Sequence, residues 1–145
     1  MKRARLAVFA SGSGSNYQAI VEACIDGRID ADVVLLVCDK PGAKVLERAE
    51  KFGTKAFAFN PKDYESREAY ETMLATMLLA RFEQRIVNIH PSLLPSFKGA
   101  HAIQDAMDFG VKVFGVTTHF VDESLDGGRI IDQGAVAYEG NDIEE

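Results

Sequence analysis

Asn88 and His90 put a carboxamide and an imidazole two residues apart, in the run Asn88-Ile89-His90-Pro91-Ser92-Leu93-Leu94-Pro95. On a strand, side chains two apart share a face, so Asn88 and His90 project together and Ile89 points the opposite way. Pro91 then stops the strand and sets the turn that follows. Such a pair suits acyl or formyl transfer: the amide donates to a developing oxyanion while the imidazole exchanges protons. Taken alone, the pair reads better as a strand-end turn former beside a hydrogen-bonded surface imidazole. Asp126 lies in Asp122-Glu123-Ser124-Leu125-Asp126-Gly127-Gly128. Most acid-rich loops are solvated, but a carboxylate before two glycines can be held on a tight turn, where it orients an imidazole or a water. His119, Asp126 and His90 could instead ligate a metal, yet no H-x-x-x-H or comparable spacing supports that, and no metal is expected.

Two further features suit an anion. Ser11-Gly12-Ser13-Gly14-Ser15-Asn16 falls between an apolar run and a helical pattern. Glycines let the backbone turn tightly there, and free amides at the helix start face an incoming phosphate. The plainer reading is a glycine-rich turn in which Ser15 and Asn16 cap the helix. Tyr17 stands where a dinucleotide fingerprint needs its third glycine, so phosphate fits better than a dinucleotide. Arg67, early in a helix, runs against the helix-dipole preference. It is either an exposed arginine or a bidentate phosphate clamp.

The elements that must position these groups alternate. Apolar runs at Leu6–Ala10, Val33–Cys38 and Ala56–Phe59 read as buried strands. Helical periods follow them: one from Asn16 to about Gly27, one through Val45, Leu46, Ala49 and Phe52 to Gly53, and one opened by Ser66 and carrying Tyr70, Met73, Leu74, Met77 and Leu78. Strand–helix alternation predicts an α/β fold, a mostly parallel Rossmann-like sheet with helices on both faces. Ligands then sit at the carboxyl ends of the strands, where the motifs fall. A further strand is expected over Val113–Val121. Between the Leu78 helix and the strand beginning at Arg85 there is no glycine, proline or asparagine, where such connections take about two to six residues of loop.

The 145 residues allow one domain, at 47% apolar and 26% charged, the composition of a globular protein. A net charge of −6 argues against a nucleic-acid partner, which calls for a cationic surface. The basic Met1–Arg5 segment precedes only five apolar residues, too few for a secretory signal. No run is long enough for a membrane span. Cys24 and Cys38 lack metal-ligand spacing and read as reduced core thiols in a cytoplasmic protein.

Together these motifs resemble the phosphoribosylglycinamide formyltransferase family of the formyl-folate transferase superfamily. The resemblance rests on Ser-Gly-x-Gly-Ser-Asn at 11–16, Ser-Arg-Glu-Ala-Tyr at 66–70, Asn-Ile-His-Pro-Ser-Leu-Leu-Pro at 88–95, and His-Phe-Val followed by Leu-Asp-Gly-Gly at 119–128. It covers nearly all of the chain and reverses the plainer reading of Asn88 and His90. The resemblance implies a formyltransferase fold, with 10-formyltetrahydrofolate as formyl donor and the amine of glycinamide ribonucleotide as acceptor in purine biosynthesis. It implies Asn88, His90 and Asp126 as the catalytic set, with His119 supporting. Gly14, Ser15, Asn16 and Arg67 would bind the substrate phosphate. Ile89, Pro91 and the loop Val121, Asp122, Glu123, Ser124 and Leu125 would meet the substrate and folate. Partners would be small molecules, with neither nucleic acid nor membrane, acting on a monomer or homodimer. The chain departs from the family in lacking one central strand near residues 80–85 and a closing helical region after 145. It therefore reads as a single formyltransferase domain with residues absent at both places. Formyltetrahydrofolate deformylase and methionyl-tRNA formyltransferase share the Asn-x-His and Asp signature. The first would be marked by an amino-terminal regulatory domain and hydrolysis without ribonucleotide, the second by a tRNA-binding carboxyl-terminal domain. A phosphate-binding module without catalysis would bind ribonucleotide and not turn over.

Overall fold

Parallel strands cannot be joined by a tight turn, so each crossover must carry its own helix, and the first half of the chain is built that way. β1 (Ala4–Phe9), α1 (Ser15–Ile25), β2 (Ala31–Cys38), α2 (Lys44–Lys51) and β3 (Ala56–Ala58) follow one another. They form a parallel sheet in the order β1-β2-β3. The computed structural model describes residues 3–66, 76, 78–82 and 84–138. It divides into two compact units, Met1–Glu71 and Thr72–Glu145.

In the first unit the core comprises Tyr17 and Val21 from α1, Leu36 and Cys38 from β2, and Val45 and Ala49 from α2, with Ala43 just before it. Leu36 and Cys38 are two apart and so face one side of the sheet, where both helices pack. The helix expected to follow Ser66 lies mostly outside the described residues, as do Arg67, Tyr70, Met73, Leu74 and Met77. Strand limits differ by a residue or two: β1 begins at Ala4, β2 at Ala31, and β3 ends at Ala58. Pro61–Asp63 forms a 3-10 turn with Asn60 accepting from Lys62 N–H at 3.1 Å. Both cysteines are free and buried, as core thiols should be.

The second unit contains β4 (Val87–His90), α3 (Ala102–Phe109), β5 (Val113–Phe120) and β6 (Ile130–Ala137). Its sheet, ordered β4-β5-β6, is antiparallel throughout, a departure from the parallel pairing that strand–helix alternation predicts. The loop 121–129 joins β5 to β6 without a helix, so β6 must run back along its neighbour. Neither α3 nor β6 was expected. α3 buries only Ala102 and Ala106, a stripe too small to stand out as a hydrophobic period, and β6 is exposed along its length. The strand expected from Arg85 starts at Val87. Gln84 takes a left-handed backbone (φ 55°) in the turn before it, a place normally held by glycine or asparagine. The helix-to-strand turn exists, without the residue types that announce one.

Candidate active site

The antiparallel register of β4 and β5 sets Asn88 opposite His119 and His90 opposite Thr117. Directly opposed side chains share a face, so two histidines and an amide meet over one patch of sheet. His90 and His119 are 4% and 2% exposed. Asp126 joins them from the loop after β5. Its backbone is left-handed (φ 45°), a region that Asp tolerates better than most residues. Gly99 N–H donates to Asp126 Oδ2 at 2.8 Å. The same oxygen lies 3.5 Å from His90 Nδ1, and Oδ1 lies 3.8 Å from His119 Nε2. Gly128 after Asp126 leaves no room for a side chain, and Gly127 packs close to Ser124. A Cβ at Gly128 would strike the Phe120 carbonyl, and one at Gly127 the Ser124 hydroxyl.

Hydrogen-bond chemistry assigns both imidazoles. His119 Nδ1 is 2.9 Å from the Phe120 carbonyl, which only accepts, so Nδ1 carries the proton. In the neutral ring Nε2 is then an acceptor, and Asn88 Nδ2 donates to it at 3.2 Å. This fixes the orientation of the amide and leaves its second N–H for another acceptor. His90 Nε2 is 2.8 Å from the Phe97 carbonyl and must donate to it. Nδ1, the other ring nitrogen, faces Asp126.

The loop 121–125 is held from within. Asp122 Oδ1 accepts from the Ser124 hydroxyl and, at 2.8 Å, from Ser124 N–H. These two bonds hold the Asp122 carboxyl below its ordinary value of 3.8, with smaller help from His119 and Lys98. Val121 is half-buried and Asp122, Glu123 and Ser124 are exposed. Leu125 is 70% exposed, an apolar side chain presented to solvent. Ile89 is on the face away from Asn88 and His90, and Pro91 opens the turn beyond His90.

In the first unit, Gly14 rather than Ser15 or Asn16 is the N-cap of α1, at φ 79°, with no side-chain cap bond. The expected capping is therefore corrected: Ser15 and Asn16 are the first helical residues, where amide N–H groups lack intrahelical partners. A Cβ at Gly14 would meet the Val45 side chain. Val45 N–H also donates to Gly12 O at 3.2 Å, and Arg48 Nε to Ser13 O at 2.8 Å. Tyr17 is wholly buried in the core, which accounts for its replacing a third glycine. Sequence reading missed Arg48, a cation against the glycine loop. Its only signal is its place in the helix after the second strand, and that becomes informative only once α2 packs on the loop.

Among the described residues no group of three His, Cys, Asp or Glu side chains is placed to hold a metal ion, and no helix is long and apolar enough to cross a membrane. A hollow of about 210 Å³ in the second unit is lined by Pro91, Ile103, Phe114, Val116, Val136 and Tyr138. It is apolar and, apart from Pro91, contains none of the side chains above.

The formyl transferase family profile matches residues 4–77 and 69–144. The chain belongs to the formyl transferase family. Phosphoribosylglycinamide formyltransferase of Bacillus subtilis (strain 168) is 44% identical to this family member over 162 residues, 97% of this chain and 83% of the relative. The trifunctional purine biosynthetic protein adenosine-3 of Drosophila melanogaster is 40% identical over 167 residues; this chain spans 12% of its length. Among solved structures, phosphoribosylglycinamide formyltransferase from Bacillus halodurans superposes with a TM-score of 0.85 at 45% identity, covering 96% of this chain and 82% of that one. Glycinamide ribonucleotide transformylase 1 from Geobacillus kaustophilus gives 0.86 at 46%, covering 97% and 86%. The Bacillus subtilis alignment is longer than the 145 residues present here, so it contains positions with no counterpart in this formyltransferase.

Proposed function

We propose that this chain transfers the formyl group of 10-formyltetrahydrofolate to the amine of glycinamide ribonucleotide, a step of purine biosynthesis in the cytoplasm. The observation that carries the reading is the convergence of half-buried Asn88 and Asp126 with buried His90 on one patch of the second unit. The substrate amine attacks the formyl carbon, and the carbonyl oxygen becomes an oxyanion. The free N–H of Asn88 donates to it, joined by His90 Nδ1 when that nitrogen is protonated. Asp126 faces the same nitrogen, orients the ring and, through a water, helps move the proton from the attacking amine to the leaving nitrogen. His119 supports the set by fixing the Asn88 amide.

Gly14, Ser15 and Asn16 bind the ribonucleotide phosphate through helix-start amides, with Arg67 as a clamp. Ile89, Pro91 and Val121 to Leu125 contact the substrate and folate; the exposed Leu125 supports this, since the flat face of an aromatic ring can cover such a side chain. The ligands are small molecules, acting on a monomer or homodimer. The 145 residues form one formyltransferase domain with residues of the family absent near 80–85; the Bacillus subtilis alignment, longer than this chain, supports extra positions in that relative. The test is formyl transfer to glycinamide ribonucleotide with His90→Ala and Asp126→Ala alongside. Undiminished turnover in both variants would sink the mechanism, and folate hydrolysis without ribonucleotide would replace it with a deformylase.

A further inference from the structure

His90 owes its orientation to a carbonyl, Phe97 O, that belongs to no strand or helix. The peptide carrying that carbonyl must itself be fixed, and the hydrogen bonds lead back to β5 and β6. Thr117, wholly buried on β5, donates its hydroxyl to Ser92 O at 2.6 Å and accepts from Leu94 N–H at 3.1 Å. Gln133 on β6 uses its amide nitrogen twice: it donates to Thr117 Oγ1 at 2.9 Å and to Leu94 O at 3.0 Å. Thr117 Oγ1 thus has one donor bond and two acceptor bonds, its full complement. The turn is gripped at Ser92 O, Leu94 N and Leu94 O. Ser92 Oγ carries the grip onward, donating to Ser96 O at 2.6 Å with Phe97 O at 3.3 Å.

We infer that Gln133, acting through Thr117 and the turn 92–97, is a positioning residue for His90. It touches neither substrate nor reacting atoms. Its two amide hydrogens set where Phe97 O lies, and so keep the Nε2–H of His90 on that carbonyl and Nδ1 turned toward Asp126. The exposed position of Gln133 on β6 makes the role specific. Its side chain fills no core volume, so what the substitution removes is the pair of hydrogen bonds. The inference deepens the proposed catalytic reading and rests on it for its kinetic arm, whereas its spectroscopic arm does not.

The test substitutes Gln133→Met, close in length and without donors, in the full chain labelled with 15N-histidine. His90 is assigned with a His90→Gln control. In the unsubstituted protein His90 Nε2 is protonated and its proton exchanges slowly. In Gln133→Met that signal broadens or is lost, and kcat for formyl transfer falls about tenfold, as a small misplacement of a reacting group does. KM for glycinamide ribonucleotide and for the formyl folate stays within about twofold. Thr117→Val removes the His90 signal and Thr117→Ser restores it. A Gln133→Met protein with an unchanged His90 signal and full kcat overturns the inference. Undiminished turnover in His90→Ala would instead refute the catalytic reading and leave the spectroscopic result to stand by itself.

Discussion

Asn88 has two amide hydrogens, and the structure commits one of them to His119 Nε2 at 3.2 Å. In the proposed mechanism the other donates to the oxyanion, so Asn88→Leu, similar in shape and without donors, should remove one transition-state hydrogen bond. Loss of a single such donor costs about 2.7 kcal/mol or more, a fall of about 10²-fold in kcat. KM should barely move, because the bond strengthens only as charge develops on the oxygen. His119→Ala acts on the same bond from behind. It frees the amide to rotate, and a loss of about tenfold is expected. The two effects must not add: once Asn88 is leucine, removing His119 should change kcat by no more than about twofold. Steady-state formyl transfer on the four proteins of this cycle measures the coupling directly. If His119→Ala costs its full tenfold in the Asn88→Leu background, His119 works through some other group and the assigned tautomer is wrong.

Three further outcomes are expected. Asp126→Asn keeps an acceptor for Gly99 N–H but removes the charge beside His90 Nδ1, so kcat should fall at least about tenfold with the melting temperature little changed; retention of full kcat would remove Asp126 from the mechanism. Gly14→Ala forces a side chain into a left-handed backbone, at about 1–2 kcal/mol, and against Val45; a lowered denaturation midpoint and weaker ribonucleotide binding should appear together, and an unchanged midpoint would contradict the packing. Ser124 holds the Asp122 carboxyl below 3.8, so the folded form favours the charged group. Its contribution is complete above that pH and disappears as pH falls through the lowered value. The Ser124 amide resonance should therefore titrate below the ordinary carboxylate range, and move up toward it in Ser124→Ala.

Much of the site was legible because its parts are local. Strand geometry alone put Asn88 and His90 on one face, and β4 places them so. Asp-Gly-Gly announced a tight turn, and Asp126 takes a left-handed backbone there, with Gly128 packed on the Phe120 carbonyl. The alternation of apolar runs and helical periods marked the parallel unit to within a residue or two. The helix-to-strand turn at Gln84 escaped because no glycine or asparagine marks it. β6 and α3 escaped because one is exposed along its length and the other buries only alanines, which leaves little hydrophobic period to read.

Residue types, short-range periods and the glycine-marked turn after Asp126 were settled by the sequence, since each depends on neighbours a few positions away. The tertiary structure decided what depends on distant pairing. The antiparallel register brought His119 to Asn88 across 31 positions, and a backbone amide at Gly99 reached Asp126 across 27. The same long-range pairing turned Gln133 and Thr117 from ordinary strand residues into the grip on the turn that holds His90. Hydrogen bonds between remote segments leave no trace in local composition, because each partner meets the other only after the sheet has formed.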